Sequence, residues 1–150
     1  MEIQWGADRE QLTAAERTVL EFAETTPCGI YAAWARVCDG PDQEVYKVAM
    51  SVGWNPTFEG SDALKEKTIE AWLLHDFAND FYDATIRIIV LAYVRDEAKF
   101  ESLDELIAEI RADGDYCARA LDAPTLARYK LDPFFCGRSS TTSITQQKLA

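Results

Sequence analysis

The segment that most constrains the fold is residues 84–94, which read Ala-Thr-Ile-Arg-Ile-Ile-Val-Leu-Ala-Tyr-Val. This run is long and rich in β-branched residues, which favour extended backbone. It is the clearest β-strand in the sequence. A strand of this kind belongs to a sheet, and further strand candidates precede it in the chain.

Two of these candidates, residues 30–37 and 45–52, are rich in β-formers and are separated by the turn sequence Asp-Gly-Pro-Asp at positions 39–42. The hairpin-length gap predicts an antiparallel pair. Residues 68–77 are ambiguous, because their apolar positions fit both one face of a helix and one side of a strand. Periodicity does not decide between the two interpretations.

Two longer helices are predicted, the first over residues 13–24. The second begins after Ser102, a candidate N-cap that forms a capping box with Glu105, and runs towards Leu121. A short helical piece follows from Pro124 to about Tyr129. The apolar stripe of the second helix consists of Leu103, Leu106, Ile107 and Ile110. Strands followed by a terminal helix predict an α+β or mostly β domain, with a helix-capped barrel as one form.

Size and charge exclude several classes. The chain has 150 residues, of which 48% are hydrophobic, so one domain with a continuous core is expected. A net charge of −11 argues against nucleic acid as a partner. The apolar run at residues 88–94 is too short to span a membrane, and the N-terminus lacks a secretion signal. We therefore expect an intracellular monomer, cytoplasmic or organellar, whose four widely spaced cysteines are free buried thiols.

Glu70 is the first candidate for chemistry, because it lies within the apolar run at residues 69–74. A desolvated carboxylate binds a proton more strongly and can act as a general base. The alternative is that Glu70 faces solvent on an alternating strand. His75, the single histidine, has the corresponding alternative of a satisfied polar residue beside Asp76.

Arg95 directly follows the long strand, where a rigid scaffold can hold it to clamp an anion or a flat ring. The alternative is a surface salt bridge with Asp96 or Glu97. Neither standard glycine-rich phosphate-binding motif occurs in the sequence. These signals alone do not name a reaction.

Several blocks of residues 29–135 occur in the order typical of riboflavin kinases. The matching segments are Gly29-Ile30-Tyr31, Trp34-Ala35, Ser51-Val52-Gly53-Trp54-Asn55-Pro56, Ile69-Glu70, Asp80-Phe81-Tyr82, Tyr93-Val94-Arg95 and Asp132-Pro133-Phe134-Phe135. The sequence therefore resembles the riboflavin kinase family, which transfers the γ-phosphate of ATP to the 5′-hydroxyl of riboflavin to give FMN. The resemblance implies a kinase domain over residues 1–138, followed by a flexible polar tail over residues 139–150.

The resemblance also implies a mostly β fold, a six-stranded antiparallel Greek-key barrel with a C-terminal α-helix, in which residues 68–77 form a strand. Glu70 matches the catalytic base of the family. The positions that match ATP contacts are Leu73, His75 and Tyr82, and those that match riboflavin or FMN contacts are Arg95, Glu105 and Asp115. ATP and riboflavin are the implied partners, with Mg²⁺, Zn²⁺ or Mn²⁺ accompanying ATP.

One motif departs from the family pattern. The Pro-Thr-Ala-Asn motif, whose Thr and Asn hold the metal and the phosphates, corresponds to Leu-Thr-Ala-Ala at residues 12–15, so Thr13 alone matches a metal ligand. Three explanations are open: a stretch missing near residues 6–13, a divergent enzyme with other metal ligands, or a non-catalytic flavin- or nucleotide-binding module derived from this family.

Overall fold

The computed structural model describes residues 14–54, 67–81, 84–137 and 147–148. Four main strands lie between two helices in the chain, and short helical turns follow the second helix. The elements in order are α1 (Ala14–Thr25), β1 (Gly29–Val37), β2 (Tyr46–Trp54), β3 (Lys67–Leu73), β4 (Ile86–Arg95), α2 (Leu103–Ala120), α3 (Pro124–Ala127), two 3₁₀ turns (Arg128–Leu131 and Pro133–Cys136) and β5 (Gln147–Lys148).

These strands form one sheet in the order β3-β2-β1-β4-β5. The pairs among β1 to β4 are antiparallel, and the two residues of β5 pair with β4 in parallel. The mostly β antiparallel architecture with a C-terminal helix is confirmed. The closed six-stranded barrel is not confirmed, because among the described residues the sheet stays open, with β3 at one edge and β5 at the other.

The ambiguous segment is a strand only in its first part. β3 pairs with β2 from Lys67 to Leu73. After Leu73 the chain turns, and the backbone N–H of His75 donates back to the carbonyl of Leu73 at 2.8 Å. The prediction of a strand as far as residue 77 is therefore wrong at its end. β2 itself continues to Tyr46, two residues past the partner of Leu73, so the strand ends because the backbone of β3 turns and not because β2 ends.

The sheet is covered on both faces, because its strands place buried side chains alternately on opposite sides. One face packs against α1 through a cluster of Ala23, Tyr31, Ala33, Ala35, Val37, Val48, Met50, Val52, Ile69 and Leu73. The other face packs against α2 and the C-terminal turns through Ala32, Trp34, Ala49, Leu91, Ala92, Cys117, Leu121, Leu126 and Phe135. The functional side chains considered below lie mainly on this second face, called here the α2 face.

The pairing of β1 with β4 contains two register shifts. Ala33 pairs with Val90 whereas Ala32 pairs with Ala92, so that Leu91 is an extra residue in β4. A second shift separates the pairs Tyr31–Tyr93 and Ile30–Arg95. Leu91 and Ala92 consequently share one core cluster although they are neighbours in sequence.

Helix α2 begins as expected, but its cap differs in one half. The backbone N–H of Glu105 donates to Ser102 Oγ at 3.2 Å. The Glu105 carboxylate accepts from the N–H of Glu101 at 3.1 Å rather than from that of Ser102. The reciprocal bond of a capping box is therefore shifted by one residue, to the N–H that precedes Ser102.

The four cysteines are free, as expected, but only Cys117 is buried and Cys136 is exposed. The expectation of four buried thiols is wrong, because Cys136 ends a 3₁₀ turn at the surface. Within the described ranges, no helix is both long and apolar enough to cross a bilayer. The predicted tail at residues 139–150 lies outside the described residues except for the pairing of Gln147–Lys148.

Candidate active site

A cavity of about 240 Å³ lies on the α2 face, between helix α2 and strands β1 to β3. Its walls are largely apolar, and they carry two carboxylates. The lining residues are Ile30, Ala49, Met50, Ser51, Glu70, Ala71, Trp72, Ile110 and Asp113. A concave, mostly apolar site with a few convergent polar groups is typical of a small-molecule site.

Glu70 lies in the middle of β3, directly opposite Ser51 of β2. It is exposed, whereas its neighbour Ile69 is buried in the opposite core. The interpretation of a desolvated carboxylate is therefore wrong, and the solvent-facing alternative holds, because the strand alternates. In the described part of the chain the Glu70 carboxylate has no hydrogen-bond or ion-pair partner, so both of its oxygens are available to a ligand.

Arg95 reaches across from the end of β4 to Asp113 of α2. Its Nε donates to Asp113 Oδ1 at 2.7 Å and its Nη2 to Oδ2 at 2.6 Å, a bidentate pair. Asp113 is only 7% exposed and lines the cavity. The hydrogen bond to Asp113 is the main cause that raises the pKa of Arg95, so the guanidinium stays charged.

The alternative for Arg95, a salt bridge with Asp96 or Glu97, is wrong. Asp96 supplies only its backbone carbonyl, which accepts from Arg95 Nη1 at 2.9 Å. The carboxylate partners are Asp113 and, at 3.3 Å, Glu109, both on α2. One hydrogen on each Nη remains unused by these bonds, so the guanidinium can still donate to a bound molecule.

Trp72 forms a wall of the cavity that the sequence did not single out. It lies two residues after Glu70 on the same side of β3 and packs on Gly114 of α2. A Cβ atom at Gly114 would lie 2.6 Å from the indole ring. Because residue 114 is glycine, the helix and the indole can approach closely.

The first half of α2 extends the apolar surface beyond the cavity. The side chains of Leu103, Leu106, Ile107 and Ile110 are all exposed. The predicted stripe is therefore present, but none of its four residues belongs to the two core clusters of the sheet. A contiguous apolar patch beside a cavity is typical of a ligand or partner site.

Leu73 and His75 do not line this cavity. Leu73 is buried in the core on the opposite face of the sheet. His75 is exposed and stacks on Tyr46, with ring centroids 4.1 Å apart. Phe77 meets both rings edge-on, which completes an aromatic cluster at the end of the sheet. The Tyr46 hydroxyl donates to Asp42 at 2.5 Å, and this bond raises the pKa of Tyr46 to about 12.

Glu105 and Asp115 are exposed on α2, and neither lines the cavity. Asp115 follows Asp113 by two residues, about 200° around the helix, so it points away from the cavity. Tyr82 and Thr13 lie outside the described residues. Among the residues that the structure describes, no group of three or more His, Cys, Asp and Glu could hold a metal ion.

Sequence reasoning missed Trp72 and Asp113. Their positions in the sequence indicate a shared face only when the strand and the helix that carry them are known. Trp72 follows Glu70 by two residues, and in the strand formed by residues 67–73 this spacing places both side chains on the same side. Asp113 follows Ile110 by three residues and precedes Cys117 by four, which is the spacing of one helix face.

Several known riboflavin kinases are similar to this chain in sequence or in structure. The family model "Flavokinase: Riboflavin kinase" matches residues 10–121. A bifunctional riboflavin kinase/FMN phosphatase of Arabidopsis thaliana is 47% identical over 108 residues, which cover 72% of this chain and 27% of that protein. The human riboflavin kinase is 35% identical over 120 residues, which cover 80% of this chain and 73% of that protein. The crystal structure of riboflavin kinase from Trypanosoma brucei superposes with a TM-score of 0.67 at 28% identity, covering 91% of this chain and 78% of that one.

Proposed function

Because the chain belongs to the riboflavin kinase family, we propose that the cavity beside α2 is where it transfers the terminal phosphate of ATP to the 5′-hydroxyl of riboflavin. The alternative of a non-catalytic binding module is not favoured. The family match begins at residue 10 and thus includes the divergent motif at residues 12–15.

The observation that carries the proposal is the unpartnered Glu70 carboxylate in a cavity with apolar walls. Phosphoryl transfer needs mainly positioning and charge neutralisation, with a carboxylate that orients the nucleophile. The Glu70 carboxylate accepts the proton of the 5′-hydroxyl as that oxygen bonds to the γ-phosphorus. The bond from the γ-phosphorus to the bridging oxygen breaks, and ADP leaves with its electron pair.

The flavin ring suits the surfaces around Glu70. Its flat apolar body matches the exposed face of α2, where Leu106, Ile107 and Ile110 lie. Its polar edge carries carbonyl oxygens, which accept hydrogen bonds from a fixed donor such as the Arg95 guanidinium. Because Asp113 holds Arg95 by two hydrogen bonds, those donors are oriented before the ligand arrives. The cavity geometry does not support flavin contacts for Glu105 and Asp115, because neither residue lines the cavity.

For ATP we propose that the aromatic cluster at the start of β2 and just after the end of β3 is the adenine site. The exposed ring of His75 stacks on Tyr46 beside Phe77, and flat bases stack on such rings. The side chain of Leu73 is buried, so its contact with the nucleotide falls to its backbone. Tyr82 and, for the metal that accompanies ATP, Thr13 remain proposals from the family pattern. Proton transfer from the 5′-hydroxyl to Glu70 requires no metal ligand among the described residues.

The first test is FMN formation from riboflavin, ATP and Mg²⁺. We expect Glu70→Gln to lower turnover by about 10²–10⁴-fold, the usual share of a general base, while the Kd for riboflavin stays within about twofold. Glu21→Gln is the matched control, because Glu21 is an exposed carboxylate on α1, across the sheet from the cavity.

Normal turnover of Glu70→Gln would overturn the role of Glu70. Absence of FMN with the wild-type chain would overturn the kinase proposal itself.

A further inference from the structure

We propose that Trp72, seated on Gly114, is the wall on which the flavin ring stacks, and that it determines how the site selects among flat ring systems. This inference rests on the proposed function. It goes beyond it by naming a specificity-determining residue that matches none of the family motifs found in the sequence.

The position of Trp72 is the first argument. The indole is 45% exposed although it lies on the same side of β3 as Glu70 and lines the same cavity. Large aromatic side chains stabilise a fold mainly by being buried, and this one is half open. Ile110 lies on the same cavity wall as part of α2. The open part of the ring is therefore apolar surface that a flat ligand in the cavity would cover.

The contact with Gly114 is the second argument. A Cβ atom at position 114 would lie 2.6 and 2.9 Å from two atoms of the indole and 3.3 Å from Leu74. The first two distances are shorter than van der Waals contact permits, so the indole occupies this place only because residue 114 is glycine. Glycine costs a helix interior roughly 1 kcal/mol relative to alanine. The helix thus contains a locally unfavourable residue that leaves room for the indole at the cavity.

The fit to the ligand is the third argument. A tricyclic isoalloxazine ring stacks on an indole over a larger area than a two-ring system does. Glu70, two residues before Trp72, lies at the same wall, so stacking would also fix the distance between the ring and the catalytic carboxylate. Trp72 therefore acts on binding and orientation, whereas Glu70 acts on the proton.

The experiment measures the Kd for riboflavin by flavin fluorescence, and KM for riboflavin and ATP separately. We expect Trp72→Ala to raise the Kd and KM for riboflavin about tenfold and leave KM for ATP within about twofold. Trp72→Phe should recover most of the loss. Trp72→Ala should also reduce the preference for riboflavin over a ribityl-substituted bicyclic pteridine. Trp54→Phe is the matched control, because Trp54 is half exposed but lies outside the cavity lining.

Gly114→Ala is the second variant. It keeps the indole but displaces it, and alanine favours the helix, so the fold should persist. We expect a riboflavin Kd raised by about three- to tenfold. The inference is overturned if neither Trp72→Ala nor Gly114→Ala changes the riboflavin Kd, or if KM for ATP rises in parallel. Failure of the proposed function is a different result, namely no FMN from the wild-type chain or full turnover of Glu70→Gln.

Discussion

The two halves of helix α2 differ sharply although both follow the same period. In the first half, Leu103 is 69% exposed, and Leu106, Ile107 and Ile110 are 36–44% exposed. In the second half Cys117 is fully buried, and Leu121 at the C-cap is buried with it. The second half packs on Trp34, Leu91 and the C-terminal turns, whereas the first half extends over the cavity. An apolar stripe therefore shows which side of a helix is apolar, and not what covers it.

The largest expected effect concerns stability. We expect Leu121→Ala to lower the free energy of unfolding by about 2–5 kcal/mol, because it leaves a cavity in the core. Leu106→Ala removes the same atoms from the open half and should change stability by less than about 0.5 kcal/mol. Urea unfolding of both variants measures the difference. Equal losses would contradict the division of α2 into a packed and an open half.

A smaller effect is expected at the start of the open half. Ser102 Oγ accepts the N–H of Glu105, so Ser102→Ala should cost about 1 kcal/mol in the same urea assay. Ser102→Asp keeps an acceptor at the cap and serves as the control. A loss equal to that of Leu121→Ala would mean that the first half contributes as much to the core as the second.

The smallest effect on stability is expected at the buried thiol. Burial, with a contribution from the charge of Asp113, raises the pKa of Cys117 from 9.0 to about 12. The Cys117 thiol ionises at a higher pH in the folded chain than in the unfolded chain. Its contribution to folding stability is therefore fully present below pH 9 and is lost as the pH rises from 9 towards 12. Stability near pH 7 should therefore be independent of Cys117 ionisation.

Alkylation measures the same contrast directly. At pH 8 iodoacetamide should modify the exposed Cys136 and leave Cys117 unmodified until the chain is unfolded in urea, as read by mass spectrometry of peptides. Equal rates at the two cysteines would show that the second half of α2 opens as readily as the surface.

Much of the fold could be predicted from local pattern. The strand predicted at residues 84–94 is observed as Ile86–Arg95, and the helix predicted from residue 13 is observed as Ala14–Thr25. Residues 68–77 were ambiguous because periods of 2 and 3.6 both fit their apolar positions. The strand stops at Leu73 because the backbone turns there, with the N–H of His75 bonded to the carbonyl of Leu73, and neither period encodes that turn.

The site was less predictable for the same reason. The resemblance supplied Glu70 and Arg95, whose roles remain proposals, but local sequence suggested Asp96 and Glu97 as partners of Arg95. The observed partner, Asp113, is 18 residues away and belongs to a helix. Such a contact depends on how α2 lies on the sheet, and no periodicity within either segment encodes it.

The two register shifts in β4 have a consequence for length variation in this strand. Each shift reverses the alternation of side chains, so the two together restore it, and Arg95 faces α2 together with Ile30. Deleting Leu91 or Val94 alone would remove the extra residue of one shift and leave the remaining pairs unchanged, so the guanidinium would still face α2. Among relatives, β4 should therefore tolerate the loss of one residue at position 91 or 94 better than a loss elsewhere between Ile86 and Arg95.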